Sequence, residues 1–287
     1  MSNEVRIGDI RVVALLDGDG DIDAMHESFP SFPVELMPRL RERYPAVWGQ
    51  GDAWRLRVRC WLIDHPEGPT LLDTGVGSAS APAFEWYGVE GTGPQQLSEY
   101  GVSAGDVRSV VISHVHDDHI GGTVDGKGRP AFPNARYLIQ RADWTWQKAL
   151  AEAEPDGEDD VIFTRLLEPL EAAGVVDLVD GDGTLGSGVS FHHEPGHTPG
   201  HQIMRVAAGE ERLALTADVF NHPAQVGHPE WASGSDNDPA LGVETRRRVI
   251  EELASDPSTL VATAHLAEPY GRIVAGPRGP EWRPEGL

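Results

Sequence analysis

Short runs of β-branched and aromatic residues, separated by turns that contain glycine or proline, recur along the 287-residue chain. Runs of this kind are typical of buried strands. They predict a hairpin at VRIGDIRVVALLDG and a second strand pair at RLRVRCWLID (55–64) and TLLDTG (70–75). Further strands are predicted at DVRSVVIS, ARYLIQ, VSFHHE, HQIMRVAAG, RLALTADVF and TLVATAHL.

Segments with a helical spacing of apolar residues lie between the predicted strands. RADWTWQKALAEAE and DVIFTRLLEPLEAAG predict a helical excursion, and GPQQLSEYG predicts a short helix. DPALGVETRRRVIEELASD gives the clearest helix, because Asp238 can cap its N-terminus and Pro239 suits its first turn. Strand-rich halves with inserted helices favour an α/β layered architecture with a sheet-on-sheet core. We expect a single domain over residues 1–287.

Two segments lack a clear strand or helix period. Residues 19–54 are rich in proline, glycine and aromatic residues, with one short helical pattern at PVELMPRLRER. A connection of that length predicts a substrate-binding loop region. Residues 276–287 are rich in proline and glycine and predict an irregular tail.

The net charge of the chain indicates which kinds of binding partner are unfavourable. The formal net charge is −23 at pH 7, and a field of that sign repels phosphate backbones and anionic lipid. We therefore expect no nucleic-acid partner and no membrane partner. Neither a signal peptide nor an apolar run of about 18 residues is evident, so we expect a cytoplasmic protein. The single cysteine excludes a disulfide framework and a cysteine-based zinc knuckle.

The stretch SHVHDDHIGG places three histidines and two aspartates directly after the apolar run SVVI. Alternate residues of an extended chain face the same side, so His114 and His116 can point to one place. Asp118 and His119 follow the turn and can point to a second place nearby. Imidazole and carboxylate ligands together suit zinc, iron or manganese. Five such groups at this spacing predict two metal ions a few ångströms apart.

Three further strand patterns end in a single histidine or aspartate. His197 lies in the Gly/Pro turn EPGHTPGH, Asp218 ends LALTADVF, and His265 ends LVATAHL. We expect these side chains to complete the site begun by the first cluster. Gly121 and Gly122 would let the backbone pass close to it.

The order H-x-H-x-D-H, GHTPGH, TAD and a late AH resembles the metallo-β-lactamase-fold hydrolase superfamily, from about Val5 to Val274. The resemblance implies a four-layer αβ/βα sandwich with the metals at one edge of the sheets. It also implies that Asp73 in LLDTG orients a ligand histidine. The implied ligands are His114, His116 and His197 for one metal, Asp118, His119 and His265 for the other, and Asp218 as the bridge.

The same resemblance implies a mechanism. Two divalent ions, zinc in preference to manganese, iron or cobalt, would share a hydroxide that attacks a carbonyl or phosphoryl centre. Asp118 would be both a ligand and a catalytic group, because it would pass a proton from the nucleophile to the leaving group. We therefore expect a dinuclear hydrolase that cleaves a small-molecule lactone, ester or phosphotriester.

Within the superfamily, the stretches FPNARYL, HPEW, DNDP and AHLAEPYGRIV resemble the methyl parathion hydrolase-like and quorum-quenching lactonase branch. Acyl-homoserine lactonases carry a tyrosine three residues after the bridging aspartate, where it contacts the lactone carbonyl. This chain has asparagine there, so we do not expect that contact. The predicted pocket residues are Phe29, Trp48, Phe220, Asn221, His222 and Trp231.

Two other enzyme classes share this fold. A glyoxalase II-like thioesterase would need an added C-terminal domain with basic residues for the glutathione carboxylates. A mononuclear iron oxygenase of the persulfide dioxygenase type uses fewer protein ligands than this chain offers. Related hydrolases are often dimers, and that analogy leaves a homodimer open.

Overall fold

The computed structural model describes residues 3–285, and within them fourteen strands form two seven-stranded sheets. In spatial order, the first sheet contains β1 (Glu4–Ile7), β2 (Ile10–Ala24), β3 (Ala53–Asp64), β4 (Thr70–Leu72), β5 (Ser109–Val111), β6 (Arg136–Gln140) and β7 (Val176–Val179). The second contains β8 (Gly183–Gly186), β9 (Val189–His193), β10 (Gln202–Ala208), β11 (Glu211–Leu215), β12 (Leu260–Ala262), β13 (Tyr270–Gly276) and β14 (Gly279–Pro284). Strands β4 to β7 are parallel, as are β11 and β12, and the other neighbours are antiparallel.

The helices of the described residues are mostly short. They are α1 (Met25–Ser28), α2 (Met37–Arg43), α3 (Ala83–Tyr87), α4 (Gly93–Gln96), α5 (Asp117–Ile120), α6 (Arg141–Ala153), α7 (Glu158–Ile162), α8 (Glu168–Ala172), α9 (Ala224–Gly227) and α10 (Pro239–Ser255). A short π-helical segment (Phe163–Leu167) joins α7 to α8, and 3-10 helices lie at Val34–Leu36, Pro45–Val47, Leu97–Tyr100 and Ala217–Val219. Between residues 3 and 285, no helix combines the length and the apolar character that crossing a membrane requires.

The predicted cap of α10 is present. The Asp238 carboxylate accepts a hydrogen bond from the Leu241 amide at 3.0 Å, and Pro239 occupies the first turn. This bond satisfies one of the amides that a helix N-terminus leaves without an intrahelical partner.

The sheets pack face to face because each presents an apolar inner face. Val12 and Trp61 of the first sheet belong to the same buried cluster as Met204 and Leu215 of the second. A second cluster lies between the outer face of the first sheet and the segment from α6 to α8, and a third lies between the second sheet and α10. The layers therefore run helix, sheet, sheet, helix, which is the αβ/βα sandwich predicted.

The structure corrects the secondary structure expected for parts of two segments. Strand β2 continues to Ala24 through DGDGDIDA, and β3 begins at Ala53, so only the middle of residues 19–54 lies outside strands. Pairing with β3 keeps this acidic stretch extended, and Arg55 donates to Asp19 across the pair at 2.7 Å. The predicted tail at 276–287 contains strand β14, which pairs with β13 and buries Trp282. The last two residues of that prediction lie outside the described residues.

Candidate metal centre

The histidine motif begins two residues beyond β5 and ends in α5, where the backbone turns sharply back towards the first sheet. A Cβ atom added at Gly121 would lie 1.9 Å from the Val76 carbonyl oxygen, and one at Gly122 would lie 2.3 Å from that of Thr74. Two carbonyls therefore pass where any larger residue would collide. The close backbone approach predicted from these glycines is confirmed.

Three histidines form the first group of donor atoms. His114 Nε2 lies 3.0 Å from His116 Nδ1, which lies 3.1 Å from His197 Nε2. Nitrogen ligands about 2.1 Å from a tetrahedral zinc ion stand about 3.4 Å apart, so this spacing has the size of a zinc coordination shell. Burial, followed by the neighbouring histidines, lowers the pKa of His114 well below its usual value. It therefore holds a neutral imidazole, the form that binds a metal.

Asp118, His119 and His265 form the second group. His119 Nε2 lies 3.2 Å from His265 Nε2 and 3.5 Å from Asp118 Oδ2, and the remaining pair is separated by 3.7 Å. Burial lowers the pKa of His119, but the carboxylates of Asp118, Asp218 and Asp73 together outweigh it and raise the pKa to about 10. Without a cation in the centre, a proton on this imidazole balances the surrounding negative charge.

Asp218 lies between the two groups, in the turn that follows β11. One carboxylate oxygen, Oδ2, is 3.0 Å from His265 Nε2 and 3.5 Å from His197 Nε2. The other, Oδ1, is 3.3 Å from His119 Nε2 and is buried without a hydrogen bond. A buried carboxylate oxygen without a hydrogen bond is costly unless a cation contacts it. The donor set therefore fits two cations that share Asp218.

Hydrogen bonds on the far side of each imidazole fix its orientation, as is usual for metal-binding histidines. The predicted partner of His119 is in place, since its Nδ1 lies 2.9 Å from Asp73 Oδ2. Asp73 has a positive φ of 62°, an uncommon backbone conformation for this residue type. His265 Nδ1 donates to the Arg57 carbonyl oxygen at 2.6 Å.

Sequence reasoning missed the partner of His197. Its Nδ1 donates to Asp236 Oδ1 at 2.9 Å, and Arg246 donates to the other oxygen of that carboxylate at 2.9 Å. Burial raises the pKa of Asp236, but His197 and Arg246 outweigh it and leave the pKa below its usual value. The DNDP stretch contains this aspartate, but nothing in the sequence links it to a histidine 39 residues earlier.

Asp143, at the start of α6, was missed as well. It accepts hydrogen bonds from Thr198 Oγ1 at 2.8 Å and from the Gly200 amide at 2.5 Å. These bonds fasten the turn that carries His197 to the helical layer. Burial raises the pKa of Asp143 to about 6 although these bonds lower it.

A cavity of about 440 Å³ lies over the donor atoms. Four of the predicted ligands line it: His116, Asp118, Asp218 and His265. Apolar walls come from the ends of β2 and β3 and from α3, and the segments 22–28 and 233–235 complete the mouth. Of the six predicted pocket residues, Asn221 lines this cavity.

The structure places the other five predicted pocket residues elsewhere, which corrects that prediction. Phe29, Phe220 and His222 are fully buried, the first and third in edge-to-face contact with each other. Trp48 lines a separate surface cleft beside α2, and Trp231 lines another between α2 and α9. Phe29 and Phe220 pack in the core, because burying an aromatic ring removes more apolar surface from water than lining an open cavity does.

Asp117, the other aspartate of the SHVHDDHIGG stretch, also belongs to this site. It is buried, lines the cavity, and accepts a hydrogen bond from the Trp86 indole at 2.9 Å. Burial, followed by the neighbouring Asp118, raises its pKa to about 7.

Comparison with known proteins matches this geometry to one superfamily. The sequence profile described as the metallo-beta-lactamase superfamily matches residues 53–265. The chain is 34% identical over 193 residues to an N-acyl homoserine lactonase, AttM, of Azorhizobium caulinodans, an alignment that covers 60% of this chain and 68% of the relative. It is 30% identical to an N-acyl homoserine lactonase of a Bacillus species, with 59% and 66% covered.

Two solved structures resemble the whole chain. AidC, described as a dizinc quorum-quenching lactonase in complex with a product, has a TM-score of 0.85 at 25% identity over 99% of this chain and 97% of that one. The hydrolase AbOPH has a TM-score of 0.84 at 22% identity over 100% and 99% of the two chains, and it supports the fold alone. The predicted fold and hydrolase class are confirmed by these comparisons. The chain belongs to the metallo-beta-lactamase superfamily.

Proposed function

We propose that the chain is a dinuclear metal-dependent hydrolase that opens a small-molecule lactone. One observation carries this proposal: seven donor side chains converge in two groups, joined by Asp218, beneath an open cavity. In an ordinary buried polar network, each polar atom finds a hydrogen-bond partner. Here Asp218 Oδ1 has none, and the seven side chains instead direct atoms that can bind a metal towards two shared positions.

The chemistry divides between the ions and the chain. Two bound divalent ions would supply a hydroxide nucleophile near neutral pH and an electrophile for the carbonyl oxygen. Asp118 has a more exposed side chain than Asp218, 10% against 5%, and it lines the cavity. It is therefore placed to take a proton from the nucleophile and return it to the leaving alkoxide. Trp54 and Leu56 would pack against the acyl part of the substrate.

The substrate class rests on the relatives and on one departure from them. Relatives named N-acyl homoserine lactonases support a lactone rather than a phosphate ester. Asn221 lines the cavity at the position where those enzymes are expected to carry tyrosine. A lactone is therefore proposed as the substrate class, with aryl esters and phosphotriesters as the comparison substrates.

The test is a hydrolysis panel with the zinc-reconstituted protein. We expect lactones to be opened with a higher kcat/KM than aryl esters or phosphotriesters, with one atom of ¹⁸O from labelled water in the product carboxylate. His116→Ala should lose at least about a hundredfold of this activity, because it removes a ligand from the three-histidine group.

His192→Ala is the matched control. His192 lies on β9 and is hydrogen-bonded to Ser190 and Asp182, outside both donor groups. It should keep the activity of the parent protein. Full activity of the His116→Ala protein, or equal loss in both variants, would refute the proposal.

A further inference from the structure

The cavity over the donor atoms is lined by acids well beyond those that could hold a metal. Besides Asp118 and Asp218, its lining includes four more carboxylates, from Asp23, Glu27, Asp117 and Glu158. Among residues 3–285, neither lysine nor arginine contributes to this lining. A substrate therefore passes carboxylates at the mouth before it reaches the side chains that would hold the metals.

Three of these acids lie at the exposed rim of the cavity. Asp23, Glu27 and Glu158 are exposed, and within the described part of the chain none of them forms an ion pair. Glu27 accepts only the Ala24 amide, at 3.2 Å, in a bond that closes the start of α1. Elsewhere on this surface, acids commonly pair with arginine, as Asp19 does with Arg55. The mouth thus carries three carboxylates that form no ion pair with a lysine or arginine of the described residues.

A separate observation concerns Asn221, a polar residue at the cavity that lacks a partner. It lines the cavity, is only 3% exposed, and its Oδ1 has no hydrogen bond. Its backbone amide donates a hydrogen bond to Gln225 Oε1 at 2.8 Å. An amide oxygen accepts hydrogen bonds and cannot donate one. A ligand group that reaches this oxygen would therefore be an N–H or O–H group, which the carboxylates at the mouth also accept.

We propose that this site selects its substrates by charge. It takes uncharged and cationic lactones or esters and discriminates against anionic ones, with Asp23, Glu27 and Glu158 as the specificity-determining residues. The inference rests on the proposed hydrolysis and deepens it. Opening a lactone converts a neutral ring into a carboxylate, so the same acids would favour departure of the product.

Long-range attraction and repulsion of this kind depend on salt. The Debye length is about 8 Å at 0.15 M ionic strength, so salt at that concentration screens much of the interaction between a charged substrate and an acid at the mouth. Three acids acting together would change kcat/KM by about threefold to tenfold per substrate charge at low ionic strength. Glutathione thioesters carry carboxylates and would be poor substrates for such a mouth.

The experiment uses three substrates with one acyl or lactone core, carrying a trimethylammonium group, no charge or a sulfonate. The zinc-loaded protein should give kcat/KM in that descending order, with the spread shrinking as salt rises. In Asp23→Asn/Glu27→Gln/Glu158→Gln, we expect the spread between the first and last substrate to fall by about tenfold.

Because the whole molecule is acidic, removing any three acids changes its net charge. The control variant therefore removes three acids outside the cavity. Glu171→Gln/Glu210→Gln/Glu251→Gln replaces three exposed acids that do not line the cavity. It should keep most of the parent's charge order. Equal loss in both triple variants would show that net charge alone sets the preference, and no charge order in the parent protein would overturn the inference outright.

A binding readout separates this inference from the proposed function. Trp86 lines the cavity and is 42% exposed. Its own fluorescence is obtained by subtracting the emission of a Trp86→Phe variant from that of the otherwise identical protein. Caesium should quench this fluorescence more strongly than iodide in the parent protein. The difference between the two quenchers should shrink more in Asp23→Asn/Glu27→Gln/Glu158→Gln than in the control triple variant. If no substrate is hydrolysed, the proposed function fails and this quenching pattern still decides the charge preference.

Discussion

Individual side chains at this centre depend on partners that lie one shell further out. His197 is hydrogen-bonded to Asp236, which is in turn hydrogen-bonded to Arg246. These buried charged side chains fix the orientation of the His197 imidazole. His119 is held in the same way by Asp73. Such partners keep the tautomer and the ring orientation that metal binding requires.

Asp236→Asn should weaken binding of the first metal by about tenfold to a hundredfold, because the substitution removes the charge that orients His197 and puts an N–H group against Arg246. A competition titration with a chromophoric zinc chelator measures this affinity. Asp238→Asn is the matched control, since it sits two residues away and can still cap α10. Unchanged zinc affinity in the Asp236 variant would contradict the assigned role.

The candidate ligands could be predicted because each follows or ends an apolar strand pattern, a local signal. Their outer partners could not, because Asp236 and Asp143 reach their targets only through the folded chain. The prediction of which aromatic residues line the pocket was wrong for another reason. A sequence shows that Phe29 is apolar, but whether it lines a cavity or packs behind one depends on burial in three dimensions.

At the scale of elements, the centre depends on loops locked together at close backbone contacts. The turn after α5 passes against the loop that follows β4, where Gly121 meets the Val76 carbonyl. Asp17 of β2 fastens that loop by accepting from the Val76 amide at 2.7 Å. The metal-binding loop is therefore supported by the first sheet itself.

Gly121→Ala should destabilise the fold by about 1–3 kcal/mol, because the new methyl group overlaps a carbonyl oxygen and the backbone must shift. Its φ of −57° suits any residue, so the cost is steric. The midpoint of urea unfolding and the zinc content of the purified protein measure the effect. Gly126→Ala is the control, with nothing within 4 Å of the added carbon. Equal stability of the two variants would contradict this account.

Most strands and the long helix α10 were predicted correctly, since hydrophobic period and capping are local. The end of β2 and strand β14 were not, because both are stabilised by a partner strand rather than by their own composition. Strands β7 and β8 were likewise unpredicted, in a glycine- and aspartate-rich stretch where tertiary pairing overrides propensity.

For the whole molecule, the acidic centre couples metal binding to pH. His119 has a pKa raised to about 10, and the pKa of His265 is also raised, since burial lowers it but Asp218 and Asp118 outweigh burial. A proton bound more tightly in the fold than in the unfolded chain stabilises the metal-free protein. That stability is fully present below about pH 6.5 and is lost as the pH rises through about 10.

Zinc must displace these protons, so its affinity should rise with pH across the same window. At pH 7, binding should release at least one proton per chain. Calorimetric titrations in two buffers of different ionisation enthalpy measure the number released, and the His192→Ala protein should release the same number. A binding enthalpy that is identical in both buffers would show that no proton is displaced.

The most direct test of the central claim is a crystal structure of the zinc-loaded protein with anomalous scattering recorded at the zinc edge. We predict two peaks, one among His114, His116 and His197 and the other among Asp118, His119 and His265, both in contact with Asp218. A single peak, or a second peak away from these side chains, would contradict the dinuclear centre on which the proposed hydrolysis depends.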